Sequence, residues 1–188
     1  MNTFLYFVRH ADSTYTPDEW NRPLSDQGIN DASLVVERLK LENVDYIVSS
    51  PYKRAIQTVE GLAVLLDCEI QIINEFKERK IADKPVVDFN KTIKKLWSDQ
   101  EYSIHGGESN QNAQERGVKA TIKVLQQYKG KNIVIATHGN LMVLIMNYFN
   151  KRYDYEFWQK LSMPDIYRLT FEGTELKEVN RLWSNNYS

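Results

Sequence analysis

The fold of this protein follows from residues 3–10, which read TFLYFVRH. The first six are apolar, β-branched or aromatic without polar alternation, which predicts a strand buried on both faces, as in a parallel sheet. The strand leads directly into Arg9 and His10. Ligands of open α/β sheets bind beyond the carboxyl ends of the strands, so this cation and this imidazole are candidates for a binding site. A surface pair in a loop is the competing interpretation, and the choice depends on partners elsewhere in the chain.

Length and composition limit the class of protein. A chain of 188 residues with 42% hydrophobic content is long enough for one well-filled core, and we expect a single domain over residues 1–188. The 24 basic and 25 acidic residues give a net charge of −1, which argues against a nucleic-acid binder or a membrane-surface binder. No apolar run approaches the roughly 18 residues that span a bilayer.

The cysteine content and the N-terminal sequence bear on the compartment. Cys68 is the only cysteine, so it cannot form an internal disulfide. The N-terminus has neither the charged region nor the long apolar region of a signal peptide. We therefore expect a soluble protein of the reducing cytoplasm.

Hydrophobic periodicity predicts alternating strands and helices, a pattern that indicates a parallel sheet with right-handed crossovers. Ser25 and Ser50 are predicted to cap the first two helices, with Pro51 at the first helical position of the second. The predicted strands are 3–8, 45–49, 69–73 and 132–136, and the predicted helices are 25–40, 51–62, 109–128 and 141–149.

Two segments complete the predicted architecture. Residues 75–107 are charged and irregular, with one helical candidate at 88–97, and are interpreted as an insertion or lid folded over the site. Residues 166–179 alternate around a glycine-containing turn, which predicts an antiparallel hairpin at the sheet edge. The fold class is therefore α/β: three α/β/α layers with a mostly parallel sheet and an antiparallel C-terminal edge hairpin.

Three predicted strand ends carry groups suited to an anion. Arg9 and His10 follow the first strand, Arg54 lies one turn into the helix after the second, and His138 follows the fourth. Parallel strands end at one edge of a sheet, so the fold should gather these side chains. Two guanidinium groups and a helix N-terminus suit a phosphate dianion.

A metal centre is the alternative explanation for two histidines. The ion would have to be held beside two permanent cations, and no cysteine or strand-end carboxylate cluster completes the coordination. Asp12 and His105 are the only additional candidate ligands. The phosphate interpretation is favoured.

The ordered motifs resemble those of the histidine phosphatase superfamily, also called phosphoglycerate mutase-like proteins. They are VRHADS at 8–13, SSP at 49–51 leading to Arg54 and Thr58, and THG at 137–139. Together they extend over most of the chain, from Phe7 to about Val143. The resemblance implies a phosphoglycerate mutase-like fold.

The resemblance also implies roles for individual residues. His10 would be the nucleophile that becomes phosphohistidine, without metal or cofactor. Thr16 stands where the family often has an Asn that helps to bind phosphate. The rest of the phosphate pocket would consist of Arg9, Arg54 and His138, with Ser50 and the backbone N–H of Gly139 as further donors.

The family also requires a carboxyl group that protonates the leaving oxygen and later activates water. Glu78 and Glu75 are the candidates. Residues 76–82, FKERKIA, resemble the family's apolar-x-Glu-Arg stretch, which favours Glu78. The motif GGES at 106–109 also resembles a family motif, and is interpreted as a turn and an N-cap that open the long helix.

Two residues next to the nucleophile depart from the family pattern. Ala11 replaces the usual Gly, and Asp12 replaces the commoner Glu. A methyl group close to phosphate is tolerable if Ala11 keeps a negative φ.

The predicted function is hydrolysis of a small phosphorylated metabolite. A mutase must keep water away from its phosphohistidine, and the short insertion makes that alternative less favoured. A catalytically weak phospho-ligand binding module is the alternative from another class. The sequence leaves open the natural substrate and the oligomeric state.

Overall fold

The computed structural model describes residues 1–184, which form one six-stranded sheet, six α-helices and a 3-10 turn at Asn74–Phe76. None of the helices in this range is both long and apolar enough to cross a membrane. The strands are β1 Asn2–Arg9, β2 Tyr46–Ser49, β3 Ile70–Ile72, β4 Asn132–Thr137, β5 Asp165–Glu172 and β6 Glu175–Arg181. The helices are α1 Asp26–Leu39, α2 Lys53–Leu66, α3 Phe89–Ser98, α4 Asn110–Gln127, α5 Gly139–Phe149 and α6 Tyr155–Gln159.

The sheet has the strand order β3-β2-β4-β1-β5-β6. The pairs β1–β4, β2–β4 and β2–β3 are parallel. The hairpin strands β5 and β6 are antiparallel to their neighbours, and β5 pairs with β1. The predicted fold class is therefore confirmed, including the antiparallel hairpin at one edge.

The unbroken apolar sequence of β1 is explained by its central position. Leu5 and Phe7 face a core cluster formed with α4 and α5, whereas Tyr6 and Val8 face a second cluster formed with α1 and α2. All four side chains are buried. Side chains alternate along a strand, so a strand covered on both faces needs apolar residues at every position.

The predicted start of α2 is wrong. The helix begins at Lys53 with Tyr52 as its N-cap, rather than at Pro51 with Ser50 as the cap. The Ser50 hydroxyl oxygen lies 2.8 Å from His138 Nε2 and accepts the Tyr52 N–H at 3.2 Å. The Ser50 N–H donates to the Ala136 carbonyl. These contacts hold Ser50 beside β4 instead of at the first turn of the helix.

The other elements agree with the sequence to within one or two residues, with two additions. Helix α5 begins at Gly139, two residues earlier than predicted. The 3-10 turn and α6 were not predicted, although Asp154 accepts the Phe157 N–H as an N-cap. The helix in the insertion is confirmed as α3. The role of residues 75–107 as a lid stays a prediction.

Gly28 allows α1 to approach the loop after β1. The Asp12 carbonyl accepts the Ser25 N–H, and a Cβ at Gly28 would lie 2.0 Å from that carbonyl oxygen. A Cβ atom and a carbonyl oxygen cannot lie this close together, so either α1 or the loop after β1 would have to move. Only glycine lets this helix pack against the segment that follows Arg9 and His10.

We expect Gly28→Ala to lower the free energy of unfolding by about 1–3 kcal/mol through overpacking. Gly61→Ala in α2 is the matched control, because its Cβ would meet only a movable Val36 methyl at 3.1 Å. Alanine also raises helix propensity at both positions. Urea denaturation measures both changes, and equal stabilities of the two variants would contradict the packing argument.

Candidate functional site

Both predicted histidines and Arg54 meet at the carboxyl ends of β1, β2 and β4. The centroids of the His10 and His138 rings are 5.1 Å apart. Arg54 donates from Nε to His10 Nε2 at 3.3 Å. His10 is 8% exposed, Arg54 3% and His138 0%. The parallel sheet thus brings together two imidazoles and a guanidinium group in a largely buried cluster.

Two hydrogen bonds fix the tautomer of His10. Its Nδ1 lies 2.7 Å from the Ala11 carbonyl. A carbonyl oxygen only accepts, so Nδ1 carries the proton and Nε2 has a free lone pair that accepts from Arg54. Thr58 holds this segment, since its hydroxyl accepts the Ala11 N–H at 3.0 Å and donates to the Arg54 carbonyl at 2.7 Å. The unprotonated Nε2 is therefore the nitrogen that can act as a nucleophile.

Burial and nearby cations keep both rings neutral. Burial lowers the pKa of His10 to about 3, and the positive charges of Arg54 and Arg9 act in the same direction. The pKa of His138 is also well below its usual value, because the ring is buried and because His10 and Arg54 act on it. A neutral imidazole retains the lone pair that a nucleophile needs.

His138 is held by Ser50 and by an aromatic ring. Ser50 contacts its Nε2, and the centroid of the Tyr52 ring lies 5.1 Å from that of the imidazole. Its Nδ1 is buried and has no hydrogen-bond partner among residues 1–184. A buried polar atom in this state is costly unless a ligand bonds to it.

Arg9 is held from two sides. Its Nη1 donates to the carbonyls of Leu161 and Ser162, at 3.3 and 2.9 Å. Gly139 lies against the other side of the side chain, where a Cβ would be 2.8 Å from Arg9 Nε. Gly139 provides the space that Arg9 occupies, whereas its role as a backbone donor to phosphate stays a prediction.

Asp165 supports the segment that binds Arg9 and was not predicted from the sequence. Its fully buried carboxylate accepts the N–H groups of Ser162 and Ile166, at 2.9 and 3.0 Å. Arg181 donates to it through Nε and Nη2, both at 2.9 Å. In the pairing of β1 with β5, Asp165 lies opposite Arg9. The sequence signal for this region was the predicted hairpin, but only the register of β5 with β1 places Asp165 opposite Arg9.

The remaining donors of Arg54 face Glu19, which was also missed. Nη1 donates to the Glu19 carbonyl at 2.9 Å, and Nη2 lies 3.2 Å from Glu19 Oε2. Arg22 pairs with the same carboxylate and donates to the Thr16 carbonyl at 3.4 Å. The Thr16 hydroxyl donates to the Asp18 carbonyl within its own loop. Its predicted contact with phosphate stays a prediction.

The two candidate acids occupy different environments. Glu78 accepts the N–H groups of Asn140 and Leu141, at 3.2 and 3.1 Å. It therefore caps α5 immediately after His138, where the helix dipole favours a negative charge. The charge of Glu78 also acts on both Arg9 and Arg54. Glu75 is exposed, and its backbone carbonyl accepts from Arg116.

The GGES motif and Arg116 hold the segment that leads to Glu78. Ser109 accepts the Asn112 N–H at 3.1 Å, so its predicted role as the N-cap of α4 is confirmed. Arg116 binds the Glu108 carboxylate through two nitrogens, at 2.7 and 2.8 Å, and donates to the Lys77 carbonyl. These residues position the backbone before Glu78.

Another buried cation, Arg79, follows Glu78. Arg79 is 3% exposed, and burial lowers its pKa while the charges of Glu78 and Glu108 oppose that shift. The oxygen of the Asn140 side-chain amide, oriented toward Arg79, accepts from its Nε and Nη2. Arg79 was part of the quoted motif, but the sequence alone did not assign it a function.

Asp12 and His105, the extra candidates for a metal site, contact residues other than the two histidines. Asp12 accepts the Ser25 hydroxyl at the start of α1. The His105 side chain is 99% exposed beside Asp83. Within residues 1–184, no three His, Cys, Asp or Glu side chains are grouped so that they could hold a metal ion.

Comparisons with known proteins identify similar sequences and folds. The sequence profile of the histidine phosphatase superfamily (branch 1) matches residues 5–185. Phosphoglycerate mutase-like protein 4 of Arabidopsis thaliana is 26% identical over 151 residues, which cover 72% of this chain and 66% of that protein. The match thus spans about two thirds of the relative's length.

Two solved structures share the fold along nearly the whole chain. Mycobacterial glucosyl-3-phosphoglycerate phosphatase has a TM-score of 0.78 at 17% identity, covering 96% of this chain and 97% of that one. A variant of phosphoserine phosphatase from Entamoeba histolytica, solved with phosphoserine, has a TM-score of 0.75 at 21% identity, covering 95% and 96%. At these identities the likeness concerns the fold.

The pKa shifts predict how the two buried histidines titrate. A lowered pKa means that a ring takes up a proton only at lower pH, so both rings should be neutral at about pH 6.5, where an unperturbed histidine is half protonated. The ring ¹⁵N shifts of the His105→Ala variant measure this, because His10 and His138 are then the only histidines in the chain. Protonation of either ring with a midpoint near the unperturbed value of about 6.5 would contradict the assigned environments.

Proposed function

Because the chain belongs to the histidine phosphatase superfamily, we propose that it is a metal-independent phosphomonoester hydrolase. It acts through a phosphohistidine on a small phosphorylated metabolite. The observation that carries this proposal is the His10 imidazole, whose Nδ1 is bonded to the Ala11 carbonyl and whose Nε2 faces Arg54 with a free lone pair. This geometry supports nucleophilic attack by His10.

In the first step, His10 Nε2 attacks phosphorus. A P–N bond forms, the P–O bond to the leaving group breaks, and the leaving oxygen takes the proton of the carboxylic acid form of Glu78, which is left as a carboxylate. In the second step, Glu78 accepts a proton from water, whose oxygen attacks phosphorus, and the P–N bond breaks. Inorganic phosphate leaves and His10 is regenerated. The intermediate replaces one difficult displacement by two easier ones.

The surrounding charges suit the transferred phosphoryl group. Phosphoryl transfer depends mainly on positioning and on stabilising the charge of the equatorial oxygens. Arg54 is buried and Arg9 is half-buried, and charge interactions of their guanidinium groups are stronger in such surroundings than in water. The buried Nδ1 of His138 is a further candidate donor, if the Ser50 hydroxyl donates to Nε2 and the proton resides on Nδ1.

Glu78 is the preferred acid and base. Its contact with the start of α5 is compatible with a carboxylate beside the pocket, and its charge acts on Arg9, Arg54 and Tyr52. The exposed side chain of Glu75 has no comparable relation to the site. Glu78 thus serves two purposes in this proposal: it stabilises α5 and it transfers the proton.

Hydrolysis is favoured over phosphoryl transfer because the chain offers little cover for the site. Between the 3-10 turn and α4, helix α3 is the only regular element. Its Trp97 packs against the core cluster of α4 and α5, and the centroid of the Trp97 ring lies 6.4 Å from that of Tyr155. The name of the Arabidopsis relative supports a phosphoglycerate mutase activity as the second candidate.

Turnover of p-nitrophenyl phosphate tests the central proposal. We expect activity that resists EDTA, and a loss of at least about a thousandfold in His10→Ala, because the nucleophile is removed. His105→Ala is the matched control and should retain the wild-type rate. Mass spectrometry under alkaline conditions should find phosphate on His10. Wild-type turnover by His10→Ala, or loss of activity with EDTA, would refute the mechanism.

Paired glutamine variants distinguish the two candidate acids. Glu78→Gln should lower kcat by about a hundredfold or more, because the leaving oxygen loses its proton donor. Glu75→Gln should stay close to wild type. A leaving group of low pKa needs little protonation, so the defect of Glu78→Gln should be smaller with p-nitrophenyl phosphate than with an alkyl phosphate. The reverse ranking of the two variants would assign the role to Glu75.

A panel of phosphorylated metabolites, including glycolytic acids, sugar phosphates and nucleotides, identifies the substrate. Assaying both released phosphate and transferred phosphate separates the hydrolase from the mutase.

A further inference from the structure

One carboxylate, that of Glu19, binds the Arg54 face of the site. The Glu19 carbonyl accepts from Arg54 Nη1 at 2.9 Å, and its Oε2 lies 3.2 Å from Nη2. The third nitrogen of the guanidinium group, Nε, donates to His10 Nε2. Every nitrogen of Arg54 therefore has a partner within the chain. These contacts use three of the five N–H groups of the guanidinium group. A phosphate oxygen that binds Nη2 where Glu19 Oε2 lies must displace that carboxylate.

The Glu19 carboxylate lies between two guanidinium groups, because Arg22 also pairs with it. Arg54 and Arg22 thus hold Glu19 as two cations would hold the oxygens of a phosphate. The two sides of the Arg54 pair differ in exposure: the Glu19 side chain is 49% exposed, whereas that of Arg54 is 4% exposed. The carboxylate reaches the buried cation from the solvent side and can leave without disturbing the core.

We propose that Glu19 is an internal, displaceable ligand of the phosphate site that weakens the binding of substrate and inorganic phosphate alike. This inference rests on the proposed function, because it concerns the same pocket. Breaking the Glu19–Arg54 contact costs the same for an ester and for free phosphate. Such a uniform cost raises KM and the inhibition constant of phosphate together, and leaves the chemical step unchanged.

The alternative role for Glu19 is to position Arg54, and the two roles have opposite consequences. If the Glu19 carboxylate is an internal competitor, its removal leaves Arg54 Nη2 free, so oxyanions bind more tightly. A positioning residue that is removed leaves Arg54 misplaced, so oxyanions bind more weakly. The sign of the change in affinity therefore decides between them.

The test measures binding of inorganic phosphate and orthovanadate by calorimetry, together with KM and kcat for p-nitrophenyl phosphate. Glu19→Gln should tighten binding of both anions by about three- to tenfold, the range of a modest ion pair. KM should fall by a similar factor, and kcat should not decrease. Thermal unfolding checks that the variant is folded. Weaker anion binding, or an unchanged affinity, would overturn the proposal.

Two further variants distinguish the effect of the Glu19–Arg54 contact from the general effect of removing a negative charge from this loop. Asp18→Asn removes the same charge from the same loop, and Asp18 makes its side-chain contacts with Trp20 and Asn21 rather than with Arg54. It should leave phosphate binding near the wild-type value. Glu19→Asp keeps the charge but is shorter, and should tighten binding because the contact with Arg54 Nη2 is lost. Equal effects of Asp18→Asn and Glu19→Gln would overturn the proposal.

A crystal structure with phosphate provides an independent readout. Glu19 Oε2 should have moved away from Arg54 Nη2, with a phosphate oxygen in its place, while Arg22 remains available to the carboxylate. Phosphate bound with the Glu19–Arg54 contact intact would refute the idea. Because anion binding is measured without turnover, absent catalysis would refute the proposed function alone, and unchanged binding would refute this inference alone.

Discussion

The site depends on the parallel register between β1 and β4. Arg9 pairs with Thr137, so the next residue of each strand is a histidine, and the His10 N–H donates to the Thr137 carbonyl. A slip of one residue would send every following side chain to the opposite face of the sheet. Both faces of β1 are apolar, so alternation of polar and apolar residues does not fix the register. The packing of β1 side chains into two separate core clusters does. Packing of the interior therefore sets the distance between the two imidazoles.

Arg54 and Arg79 are buried and Arg9 is half-buried, which is costly unless each charge is compensated. Arg9 is compensated by two backbone carbonyls, Arg54 by Glu19, and Arg79 by the nearby charges of Glu78 and Glu108. The partners differ in how firmly they are fixed: carbonyls held by Asp165 are rigid, whereas an exposed glutamate is movable. The same desolvation that makes these cations costly lowers the pKa of both histidines.

Much of this arrangement was predictable from residue type and order. The strand and helix pattern, the edge hairpin and the convergence of His10, His138 and Arg54 all follow from periodicity and from the common edge of parallel strands. The errors are local and have a physical cause. Ser50 has the sequence context of an N-cap, but its hydroxyl contacts a histidine 88 residues further along the chain. Local preference was overridden by a tertiary contact, which is expected where a site is built.

The sequence by itself determined the layers, the direction of the strands and the identity of the main ionisable groups, because these depend on hydrophobic period and on residues adjacent to strand ends. Only the tertiary structure decided which residues contact and position these ionisable groups. Asp165 faces Arg9 through a strand register, Glu78 reaches the first turn of α5, and Glu19 reaches Arg54 across a loop. Such contacts join segments whose spacing in the chain carries no periodic signal, so they can be identified only in the folded structure.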